Sequence, residues 1–135
     1  MEFNRNAQER DELLFGFYDE KAYLGGCRNF EQITPEEIKT CIERGYADPQ
    51  EDQNGSPTIR EFLDFAENVS EESVVTFAGY AITKERPDYR MNIDAVDLST
   101  TNTDDVVKFA NEFHYADEFE IKKIGDQMEA RAWWD

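Results

Sequence analysis

The chain has 135 residues, 39% hydrophobic and 13% aromatic, enough to build one core that removes roughly two thirds of the unfolded surface from water and to exclude a wholly disordered protein. Its 31 acidic residues against 14 basic ones leave a net charge of -17, beyond the magnitude of roughly 2 to 8 that suits a small domain. Such a field repels phosphate backbones and attracts basic surfaces, which argues against direct nucleic-acid binding.

Cys27 and Cys41 are too few and too isolated for a disulfide scaffold or a zinc site, and both are expected to be reduced. The opening residues MEFNRNAQERDELL place acids where a secretory signal needs a basic stretch followed by an apolar one. No apolar run approaches the roughly 20 residues that span a bilayer. The expected location is therefore cytoplasmic, with no membrane partner.

In chain order, residues 6–24 carry Leu13, Leu14, Phe17, Tyr18 and Leu24 near helical spacing and predict a helix stopped by Gly25-Gly26. Phe15 and Gly16 leave a strand pair turning at 19–21 as the alternative. Thr34-Pro35-Glu36-Glu37 predicts a capping box with proline at the first helical position and Ile33 as a staple. Ile38, Cys41 and Ile42 then form the buried stripe, and Gly45 ends the helix. A polar loop over 48–55 leads to a third helix, begun by a second box of Thr58 and Glu61, with Ile59, Phe62, Leu63, Ala66 and Val69 on its inner face.

Beyond it the period changes to 2. Residues 74–83 read as a strand apolar on both faces, joined through 85–88 to a second in which Tyr89, Met91, Ile93 and Ala95 alternate with Arg90, Asn92 and Asp94. One face of this hairpin is expected to be open to water. Thr103-Asp104-Asp105 leads a fourth helix with Val106, Phe109, Ala110 and Phe113 inward. Residues 119–124 and 127–134 flank Gly125-Asp126, which suits a type II′ turn. The reading is a single α+β domain over 1–135: three N-terminal helices in about 1–72, then ββαββ in about 73–135, as a four-stranded antiparallel sheet packed on helices. Strand order does not follow from the sequence.

The charge is uneven. Residues 31–72 hold twelve acids and three bases, whereas 73–98 hold four and three. On the third helix Glu61, Asp64, Glu67 and Glu71 would form one acidic ridge, if helix persists that far, spaced somewhat like the phosphates of a nucleic-acid strand. A solvated outer face is the plainer account of the same spacing. Alternation along the last strand buries Trp134 and turns Trp133 outward, where it could anchor a partner or lie across Arg131.

The loop from Gln50 to Glu61 aligns in part with an EF-hand calcium loop, with Asp52, Asn54 and Glu61 at ligand positions. Gln50 and Pro57 depart from that pattern, and turn and cap chemistry explain the same residues. His114, the one histidine, suits a helix end. There is no glycine-rich phosphate loop and no nucleophile motif, so no cofactor is expected.

These features favour a non-catalytic domain that binds a basic protein partner through Glu61, Asp64, Glu67, Glu71 and Trp133, as an inhibitor, immunity protein or nucleic-acid mimic. The alternative is a small-molecule-binding domain or enzyme with its pocket between sheet and helices. An uncovered sheet edge would also allow a homodimer.

Overall fold

The computed structural model describes residues 1–135. Helix α1 (Ala7–Phe15) is followed by strand β1 (Cys27–Ile33), then α2 (Pro35–Glu43), α3 (Ile59–Glu67), β2 (Ser73–Ile82), β3 (Met91–Thr100), α4 (Thr103–Phe113), β4 (Glu118–Ile124) and β5 (Gln127–Trp133). The fold is α+β, with an open antiparallel sheet of five strands ordered β1-β2-β3-β5-β4. The sheet thus has one strand more than its sequence pattern predicts.

That strand is β1, and it displaces two expectations. The first helix ends at Phe15 because Gly16 takes a left-handed φ of 85° and returns its N–H to Glu12. A single 3-10 turn, Glu20–Ala22, follows, so neither a helix to residue 24 nor a strand pair at 19–21 is present. Gly25 and Gly26 close a two-residue turn with φ of 62° and 86°, bridging Leu24 to Cys27, the geometry of a hairpin turn and not of a helix stop.

Both capping boxes form. The Thr34 hydroxyl accepts the Glu37 N–H at 3.1 Å, and the Thr58 hydroxyl accepts that of Glu61, also at 3.1 Å. Each cap contributes about 1 kcal/mol. In the β4–β5 turn Gly125 alone takes a positive φ, as a type II′ turn requires.

All four helices contribute to one core on one face of the sheet. Phe62 is at its centre, with ring centroids 5.7 Å from Phe77, 5.8 Å from Phe113 and 5.6 Å from Trp134. Phe65, Phe109 and Phe113 fill the space towards α4. The layer between sheet and helices, where a ligand pocket was expected as the alternative, is occupied by these rings. No helix is long and apolar enough to cross a membrane.

Two buried polar networks tie the helices down. Arg10 and Asp11, both fully buried, form an ion pair at 3.0 Å. Arg10 also donates to the carbonyls of Ile82 (3.0 Å) and Arg90 (3.3 Å) and to the Tyr23 hydroxyl (2.8 Å), and its guanidinium lies over the Tyr89 ring. The Tyr23 hydroxyl donates onward to Asp11. Burial, then this carboxylate, pushes the Tyr23 pKa well up. At the other end, buried Asp105 accepts from the Ser70 N–H, the Ser70 hydroxyl and the Ser73 hydroxyl at 2.8, 2.6 and 2.6 Å.

Candidate functional site

The open side of the sheet is built by alternation. Residues that pair across the strands share a face, so Ala78, Ala95, Trp133 and Glu118 line up in one row, with Asp97, Arg131 and Glu120 in the next. Between Ala78↔Ala95 and Gly79↔Ile93, Asp94 is the extra residue of a bulge in β3. A bulge bends its strand and re-aims the side chain it carries. Here the Asp94 carbonyl accepts the Trp134 N–H at 2.9 Å, while its carboxylate joins Asn29, Glu31, Ala78, Glu118, Arg131 and Trp133 around a hollow of about 300 Å³.

A second hollow of about 440 Å³ shares Glu31 and Arg131 and extends over Thr76, Asp97, Ser99 and Glu129. Across these hollows and the adjoining one on β4 and β5, six carboxylates (Glu31, Asp94, Asp97, Glu118, Glu120 and Glu129) face two bases, Arg131 and Lys122. Arg131 is held by both oxygens of Asp97 at 3.0 and 2.9 Å and by Glu31 at 3.5 Å. Lys122 is paired with Glu120 at 3.0 Å.

The titrations follow from the crowding. Burial raises the Asp94 pKa to about 6, opposed by hydrogen bonding with Trp133 and by the charge of Arg131. Burial also raises Asp97, although Arg131 pulls it back. A partly buried carboxylate with a raised pKa beside an aromatic ring in a concave surface is the kind of arrangement found at functional sites.

The helical acids are less of a unit than their spacing implies. α3 ends at Glu67 with Asn68 as its cap, and Asp105 captures Ser70, so Glu71 lies in the connection to β2 and leaves the ridge. Glu67 is answered by Lys39 at 3.4 Å, which also holds Glu36. Glu61 serves the Thr58 cap. What the fold adds is Glu112 on α4, whose pKa rises through burial and then through repulsion from Glu61 and Asp64. Trp133 is half-buried in the open face, while Trp134 packs inward against Phe62, Phe113 and Tyr115.

The loop ahead of α3 does structural work. β5 pairs only with Ala95–Thr100 of β3, and the loop serves the part of β3 that lies beyond. Asn92 donates to the Asp52 carbonyl at 3.0 Å, Arg90 pairs with Glu51 at 2.8 Å, and the Tyr80 hydroxyl donates to Gln53. Asn54 donates to the Asp135 carbonyl at 2.8 Å. Asp52 is engaged through its backbone carbonyl, Asn54 through its side-chain amide and Glu61 in the Thr58 cap, and no three His, Cys, Asp or Glu side chains are grouped to hold a metal. His114 sits at the end of α4 with Nδ1 2.9 Å from the Ala110 carbonyl. Both cysteines are free, and burial pushes the Cys41 thiol up to about 12.

Comparison with known families, with curated proteins and with solved structures finds no match to this chain. Its function has to be argued from the site itself.

Proposed function

We propose that the chain is a non-catalytic binding protein whose open sheet face receives a basic protein partner, as an inhibitor, an immunity protein or a nucleic-acid mimic would. The observation that carries this reading is Asp94 beside Trp133 in a hollow that also holds Glu31 and Glu118. A lysine or arginine entering there meets carboxylates on several strands and an aromatic face. A cation over such a ring gains about 0.5 to 2 kcal/mol, depending on how far water is excluded. The rim acids add steering, which raises association rate more than affinity. The helical acids Glu61, Asp64 and Glu112 extend the same field across the opposite layer. The two unpaired cysteines fit a reducing compartment such as the cytoplasm.

A second reading rests on the same hollow: at about 300 Å³ it is at the lower bound for a small-molecule site, roughly 300 Å³. Its ligand would be a small organic cation.

The test is capture of partners from lysate at low salt by three forms of the full chain: native, an open-face variant (Asp94→Asn with Trp133→Ala), and a helix variant (Glu61→Gln, Asp64→Asn, Glu67→Gln, Glu71→Gln). A basic protein that binds the native and helix forms, dissociates at high salt and escapes the open-face form supports the proposal. Equal capture by the open-face form overturns it. Because a cation favours ionised Asp94, reconstituted binding should weaken as pH falls through about 6.

A further inference from the structure

The two edges of the sheet are defended differently. β1 is irregular: its register with β2 shifts between Phe30 and Ile33, where Gln32 takes a φ of 56°. Such a bulge twists an edge away from other strands. β4 has no such device. Its seven residues, Glu118–Ile124, contain no proline, glycine or bulge and pair with β5 without a break. Its backbone bonds to no other segment. Ile121 and Ile124 on it are 43% and 65% exposed.

β4 is also locally neutral in a chain of net charge -17, because Glu118 and Glu120 are matched by Lys122 and Lys123. The order of those charges is self-complementary. An antiparallel pairing about a two-fold axis at Ile121 sets Glu120 of each copy opposite Lys122 of the other, on the open face. On the opposite face it sets Ile121 against Ile121. Moving the axis to Glu120 sets glutamate against glutamate at the centre, although it keeps Glu118 opposite Lys122, and moving it to Lys122 opposes lysine to lysine with no opposite-charge pair to offset it. Opposite charges across strands are stabilising and like charges are not. A lysine on an edge ordinarily prevents pairing; here, of the registers centred on residues 118 to 123, the one at Ile121 alone is free of a like-charge pair.

We infer that β4 pairs antiparallel with β4 of a second copy of the chain, in the register centred on Ile121. The contact is small and so belongs with weak, reversible interfaces, below about 1,200 Å². It joins two five-stranded sheets edge to edge and turns both open faces to the same side, which would present a partner with two sites at once. The inference stands independently of what those faces bind.

The experiment is sedimentation equilibrium of the full chain at protein concentrations up to about 1 mM, since weak contacts of this size can have dissociation constants in that range. Salt is held at about 0.15 M, where the repulsion between chains is screened beyond about 8 Å. The expected result is a monomer–dimer equilibrium that Glu120→Lys and Lys122→Glu each weaken about tenfold. Combining the two substitutions restores it, because the charges are then exchanged in both copies. Both side chains are exposed, so circular dichroism should report an unchanged fold. The inference is overturned by a monomer throughout that range, by single variants that associate like the native chain, or by a double variant that stays as weak as its parents.

Discussion

The two faces of the sheet solve opposite problems with neighbouring residues of the same strands. On the covered face β5 contributes Ala130 and Ala132, small enough for α4 to settle over them, and the chain then adds Trp134. On the open face it contributes Glu129, Arg131 and Trp133, which line the two hollows. One face gains by excluding water from rings. The other keeps charges half-hydrated, with carboxylates in excess of the bases that could quiet them. Stability belongs to the first face, and an excess of carboxylates belongs to the second.

Substitutions should separate the two faces by size and by sign. Phe62→Ala on the covered face removes a ring in edge contact with Phe77 and Trp134. It should cost about 3 to 5 kcal/mol in urea unfolding, and a cost below about 1 would mean that the core is not closed there. Arg10→Met leaves buried Asp11 and half-buried Tyr23 without their partner and should cost nearly as much, about 3 kcal/mol. Replacing Asp11 by Leu as well should recover most of that loss, since a buried pair removed whole is often neutral.

The carboxylates sharpen the contrast because their pH dependences run in opposite directions. Burial acts to raise the Asp105 pKa, but hydrogen bonds from Ser70 and Ser73 prevail and hold it below the ordinary value. Its contribution is therefore present above about pH 4 and is lost as pH falls through the depressed native pKa. Asp105→Ala should cost about 1 to 3 kcal/mol at pH 7 and progressively less in acid.

Asp94 is the reverse case. Its native pKa of about 6 lies above the unfolded value, so its contribution is full below about pH 4 and is lost as pH rises towards 6. Asp94→Asn should therefore stabilise the fold at pH 7 by about 1 kcal/mol, discounted for the water that reaches the face, and should change little at pH 4. A destabilising Asp94→Asn at pH 7 would show that the open face is built for stability after all. The smallest effect is expected for Glu129→Gln on the same face, within about 0.5 kcal/mol by urea midpoint.

What was legible in the chain follows the range of the interactions. Thr34 with Glu37 and Thr58 with Glu61 are contacts three residues apart, and both helix starts could be read directly. The hairpins of β2 with β3 and β4 with β5 were equally readable, because alternation and turn chemistry are local. β1 was not, since only Phe30 and Ile33 of its residues are buried and the bulge between them destroys the two-residue period.

Arg10 and Asp11 were hidden for another reason. In Ala-Gln-Glu-Arg-Asp-Glu they look like a solvated helix face, and only the carbonyls of Ile82 and Arg90, far along the chain, make their burial tolerable. The candidate site is drawn from residues 31, 94, 97, 118, 131 and 133, on four strands whose order no local pattern specifies. Of these, only Trp133 carried a signal of its own, through the alternation of β5.

Gly79 sets a limit of a different kind, on descent. A Cβ at this position would run into the carbonyl oxygen of Asn92 and lie 2.7 Å from the Phe30 ring, so any side chain would push β2 away from β3 beside the Asp94 bulge. Surface acids can be traded among positions without disturbing the backbone, and a lineage of such proteins could drift until its charge pattern is unrecognisable. Position 79 has no such freedom. Descendants of a common ancestor would be betrayed by a glycine in the second strand, a bulge facing it, and an arginine sealed beneath the first helix.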